Sequence, residues 1–176
     1  MLTPNDRTLT GDNSLLRDEI YLRCYEIARS STCDKMQFGC VITHNQAVIH
    51  QSCNRRLNAL KALCEPTCIR LSLISRTDSM LGACTHAEEC LWDVVHSDVP
   101  IDECELFVAG FYPDGSPWLK TVAEHTCLRC AVQMHYAKLK MIYVPVTDRW
   151  EGLTTEEALK TALAYASRQK RIETRA

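Results

Sequence analysis

Two short stretches of this 176-residue chain hold side chains whose types and spacing can do chemistry. The first is His86-Ala87-Glu88, an imidazole and a carboxylate two residues apart; the second is Cys127-Leu128-Arg129-Cys130. Cysteines separated by two residues let both sulfurs reach one ion from a single turn, and a helix N-terminus pulls a thiol toward the thiolate that binds metal. His86 supplies a third ligand of the kind zinc prefers. Three protein ligands leave the fourth position of a tetrahedral ion to water, the arrangement of a catalytic site, whereas four close it as a structural one. Zinc lowers the pKa of its water from 15.7 to about 7, and Glu88 is close enough in sequence to take the released proton without binding the ion. An aromatic amidine carbon is a suitable target for that attack. The alternative for the same four residues is a structural zinc, or a capping histidine beside buried thiols.

These groups need elements to hold them. Leu16, Ile20, Cys24 and Ile27 recur at three and four residues, which predicts a first amphipathic helix from Ser14 to near Ser30. Phe38-Gly39-Cys40-Val41-Ile42 and Ala47-Val48-Ile49-His50 flank His44-Asn45 as strand, turn and strand. His86 opens a helix with Ala87, Cys90, Leu91, Val94 and Val95 on its apolar face, 106–111 reads as a buried strand, and Pro113-Asp114-Gly115-Ser116 as a turn. Cys127 opens another helix, 141–146 is a strand, and a last helix begins near Thr154-Thr155-Glu156-Glu157. Residues 55–83 admit one or two short helices interrupted by Pro66. Alternating helices and strands give an α/β class with a sheet covered by helices.

Composition narrows the setting. The chain is 46% hydrophobic with a net charge of −2, it shows no repeat or linker, and one domain over residues 1–176 is expected. No apolar run reaches the roughly 18–20 residues of a membrane helix, and Met1–Asp6 has no basic, apolar start, so a cytoplasmic protein without a membrane partner is expected. Eleven cysteines in a reducing compartment argue for metal ligands or buried thiols before disulfides. Residues 54–76 carry five bases (Arg55, Arg56, Lys61, Arg70, Arg76) and one acid, whereas 77–153 carry five bases and twelve acids. So short a basic segment suits a small anionic ligand better than a polynucleotide; its other reading is a solvated face.

His86-x-Glu88 followed by Cys127-x-x-Cys130, in this order of elements, resembles the cytidine and deoxycytidylate deaminase superfamily of zinc-dependent nucleobase deaminases over about residues 14–168. The resemblance implies a cytidine deaminase-like three-layer α/β/α sandwich with a mixed sheet. It also implies one catalytic zinc held by His86, Cys127 and Cys130, with Glu88 as proton carrier in converting a cytosine-type base to a uracil-type product and ammonia. The implied substrate is a free nucleotide or nucleoside; the alternatives are a base within RNA or single-stranded DNA, or a non-catalytic zinc-stabilised module. Asn54 falls where the family's asparagine contacts the sugar. Val41 and Ala87 fall in the stretches that form the base pocket, and Arg55, directly after Asn54, would meet a phosphate. Some deoxycytidylate deaminases carry a second, structural zinc before the His-x-Glu motif, so Cys64, Cys68 and Cys84 are a second candidate metal set, against the preferred reading of buried reduced thiols. Relatives commonly assemble, which implies a homo-oligomer. Thr126 replaces the family's usual proline and is expected to cap the Cys127 helix. Residues 112–125 form a longer insertion, and Tyr112 and Trp118 within it, with Phe111 just before it, either stack on a base or pack the loop down. No fifth strand is expected after the last helix.

Overall fold

The structure, a computed structural model, describes residues 18–59, 62, 65–68, 71, 84–119, 126–147 and 149–173, with side chains described as far as residue 169. Its first helix, α1 (Glu19–Ala28), starts where the Asp18 carboxylate accepts from Tyr21 N at 2.9 Å, an N-cap that satisfies one of the helix's orphan donors. The expected start at Ser14 lies outside the described residues.

Strands β1 (Gln37–His44) and β2 (Ala47–Cys53) form an antiparallel hairpin. Asn45 and Gln46 turn it with φ of 50° and 68°, a left-handed pair that suits the twist of a two-residue hairpin and that asparagine tolerates well. A two-stranded ribbon follows, β3 (Arg55–Arg56) with β4 (Cys84–Thr85), which the sequence reading did not anticipate. Ala87–Cys90 form a 3-10 turn that runs directly into the short helix α2 (Leu91–Val95).

Strand β5 (Glu105–Phe111) pairs antiparallel with β1 and parallel with β6 (Met141–Val146). Parallel neighbours need a crossover, and α3 (Leu128–Tyr136) supplies it. Strand β7 (Arg149–Leu153) returns antiparallel along β6, giving one mixed five-stranded sheet in the order β2-β1-β5-β6-β7. Helix α4 (Thr155–Glu173) closes the chain, begun by a reciprocal cap in which Thr154 N donates to Glu157 Oε2 at 2.9 Å and Glu157 N to Thr154 Oγ1 at 3.2 Å. The fifth strand thus lies before the last helix, a strand the sequence reading passed over.

Strand side chains alternate between two apolar layers. Val41, Phe107, Ala109, Met141 and Tyr143 pack with Tyr21, Cys24 and Trp150 beneath α1. Cys40, Ile42, Leu106, Val108, Ile142 and Val144 face the other way and pack with Ala87 and Leu91, with Cys130 and Met134 of α3, and with Ala158 of α4. The architecture is a three-layer α/β/α sandwich, as expected. Among the described residues, no helix is long and apolar enough to cross a membrane.

Candidate metal centre

The 3-10 turn and α3 meet on the second face of the sheet, and their first residues bring three donor atoms together. His86 follows β4 in extended conformation and becomes the N-cap of the turn. Cys127 is the N-cap of α3, where its Sγ accepts from Cys130 N at 3.4 Å. The cap is the cysteine itself, not Thr126 as expected: an N-cap must be half outside the helix, and the extended backbone falls at Cys127, with Thr126 buried one residue earlier.

His86 Nδ1 lies 3.2 Å from Cys130 Sγ and 3.3 Å from Cys127 Sγ, and all three donors lie within 4.8 Å of one another. A tetrahedral zinc with bonds of about 2.1 Å to nitrogen and 2.3 Å to sulfur would set those edges at about 3.6 Å. Opening the triangle by a few tenths of an ångström therefore accommodates the ion. One nitrogen and two sulfurs are donors zinc accepts readily, and among the described residues no fourth side chain completes this group.

The electrostatics lean the same way. The thiol of Cys127 is held well below its ordinary value, chiefly by a hydrogen bond from Cys130 and then by His86. Cys130 is pushed up by that same hydrogen bond and by burial. The two thiols thus shift in opposite directions, and a cation between them would favour the thiolate form of both. Glu88 lies in the same turn as His86. Burial raises its carboxyl above the ordinary value, while His86 draws it partly back and Cys127 pushes it further up.

The remaining candidate residues are placed as follows. Asn54 is buried, and its Oδ1 accepts from Phe38 N at 2.8 Å and from Ser31 Oγ at 2.7 Å while Nδ2 donates to Met36 O at 2.8 Å. Its carbonyl oxygen is thus fully used in tying 31–38 to the end of β2. Val41 packs beneath α1, while strand alternation turns Cys40 and Ile42 toward the face that carries Cys127 and Cys130. Ala87 is fully buried in the core of the site face. Arg55 is exposed, and its carbonyl accepts from Thr85 Oγ1 at 3.3 Å, one residue before His86. Arg56 pairs with Asp34 at 3.3 Å.

Trp118, in the described part of the insertion, and Phe111, at the end of β5, each pack against a neighbouring aromatic ring. Trp118 meets Phe38 edge-on at 4.8 Å, Phe111 lies 4.8 Å from Tyr25, and Trp118 N donates to Gly110 O at 2.8 Å. Cys68 and Cys84 are buried, whereas Cys64, Lys61, Arg70 and Arg76 lie outside the described residues. Among the described residues a group of three ligand atoms is met at His86, Cys127 and Cys130.

Sequence reasoning passed over one group. Glu89, next to Glu88, turns toward α3 and pairs with Arg129. A capping-box spacing from His86 to Glu89 was its only signal in the sequence. Compared with known proteins, the chain matches no family model and no curated protein.

Proposed function

We propose that this chain is a zinc-dependent hydrolase that deaminates the cytosine ring of a free nucleotide or nucleoside. The observation that carries the reading is the convergence of His86 Nδ1, Cys127 Sγ and Cys130 Sγ at the mouths of two short elements, with the half-buried Glu88 two residues after His86 in the same turn. His86, Cys127 and Cys130 would hold the ion. A zinc ion there would supply Lewis acidity, making a water acidic enough to act as a nucleophile near neutral pH.

The rest of the reaction belongs to the protein. Glu88 takes the proton from the attacking water and delivers it to N3 of the ring as the oxygen adds to C4. It then carries the second water proton to the exocyclic amine, the C4–N bond breaks, and ammonia leaves a uracil ring, so that one water is consumed for each ammonia released. A carboxyl raised by burial suits a group that must give up a proton as readily as it accepts one. Arg55, exposed on the ribbon that leads into His86, is the cation assigned to an anionic substituent of the substrate.

The role of Glu88 is tested by Glu88→Gln. The amide keeps the shape and loses the proton shuttle, so turnover should fall about 10²–10⁴-fold with metal content unchanged. Turnover at the wild-type rate would remove Glu88 from the mechanism.

A further inference from the structure

The carboxylate of Glu89 joins the two elements that carry the ligand group. Its Oε2 accepts from the backbone N–H of His86 at 2.8 Å, at the point where the chain enters the 3-10 turn. Its Oε1 reaches across to α3, where it pairs with the guanidinium of Arg129 and accepts from Gln133 Nε2 at 3.2 Å. Gln133 in turn accepts from Trp92 Nε1 of α2 at 3.3 Å. The Glu89 side chain is only 12% exposed, so these bonds form largely away from water, where charge-assisted hydrogen bonds are strongest.

Position gives this network its meaning. Arg129 lies between Cys127 and Cys130, and His86 is the third ligand, so one carboxylate is bonded both to the backbone of one ligand and to the residue between the other two. His86 and the thiols come from elements about 40 residues apart in sequence, so a side chain that bridges the two elements bears directly on their spacing. We infer that Glu89 is a positioning residue that sets the spacing of His86 against Cys127 and Cys130 through His86 N–H and Arg129, and thereby sets the affinity and geometry of the bound metal.

The inference rests on the metal reading of the site. Outer partners of metal ligands typically govern about 10–100-fold in affinity. The test measures zinc affinity by chelator competition and, on the cobalt(II)-loaded protein, the d–d and thiolate-to-cobalt absorption bands, which report ligand geometry independently of activity. Glu89→Ala should weaken zinc about 10–100-fold and shift the cobalt bands. Glu89→Gln, which keeps an acceptor for His86 N–H, should recover part of both. Glu156→Ala removes an exposed carboxylate paired with Lys160 on α4 and should leave both readings at wild type. If Glu89→Ala does not fold, Arg129→Met cuts the same link from the other side and should lower affinity several-fold.

Wild-type zinc affinity and unchanged cobalt bands in the folded Glu89 or Arg129 variants would overturn the inference alone. A wild-type chain that takes up neither zinc nor cobalt would overturn the metal reading, and the inference with it.

Discussion

Gly39 lies so close to Cys24 that a Cβ built on it would overlap the Cys24 carbonyl oxygen and stand 2.9 Å from Ala28 N. Helix α1 thus rests its backbone directly on β1, with nothing between, and Cys24 Sγ reaches Phe107 O at 3.6 Å on the neighbouring strand. Gly39→Ala must push α1 outward and open the layer that holds Tyr21 and Trp150. Overpacking of this kind costs about 1–3 kcal/mol or more. At about 2–4 °C per kcal/mol for a chain of this size, the melting temperature should drop by several degrees or the variant should fail to fold. A wild-type melting temperature would contradict the close approach.

Asn54 is read here as a tie between β2 and the 31–38 loop. Asn54→Ala would leave Phe38 N–H and Met36 C=O without these partners at a half-buried site. Each buried group left unsatisfied costs about 1–3 kcal/mol, so denaturant titration should show a loss of that order or more. A change confined to substrate affinity, with stability intact, would instead assign the side chain to the ligand.

Zinc binding should stabilise the fold, because the triangle of donors exists only when the turn and α3 are docked. Free zinc at 1,000 times its dissociation constant adds about 4 kcal/mol, and calorimetry should show the melting transition rise accordingly. Cys127→Ser and His86→Ala should each abolish most of that rise. A rise that survives both substitutions would place the ion elsewhere.

The cap of α4 makes a pH prediction. The Glu157 carboxyl is held below its ordinary value, first by the Thr154 N–H and then by the Thr154 hydroxyl. A depressed folded-state value means stability that is present above the unfolded value of 4.5 and is lost as pH falls through the folded one. Wild type should therefore exceed Glu157→Gln in stability at pH 7, with the difference shrinking as pH falls below 4.5 in chemical denaturation. A pH-independent difference would mean that the charge does not act at the cap.

Much of this arrangement is legible in the chain because its signals are local. The Cys127 and His86 helix starts, the Asn45 turn and the apolar runs of β5 and β6 each follow from neighbours a few residues apart. Strand β7 is not, since Arg149-Trp150-Glu151-Gly152-Leu153 buries only Trp150 and Leu153, and Gly152 is there to make room for the Tyr143 ring. The face taken by Val41 is also hidden: period two says that Cys40 and Val41 point apart, but only the docking of α1 and α3 decides which one meets the site. Glu89 escapes notice because it adjoins Glu88, and a run of two acids does not reveal that the second turns toward α3.

The most direct measurement is ammonia release by the zinc-loaded protein from cytidine, deoxycytidine, their monophosphates, cytosine, guanine, adenosine and a cytosine-containing single-stranded oligonucleotide. The account predicts zinc-dependent release, one ammonia per uracil-type product, from the free cytosine nucleosides or nucleotides. Release from the oligonucleotide alone, or from none of these with zinc in place at His86, Cys127 and Cys130, would contradict it.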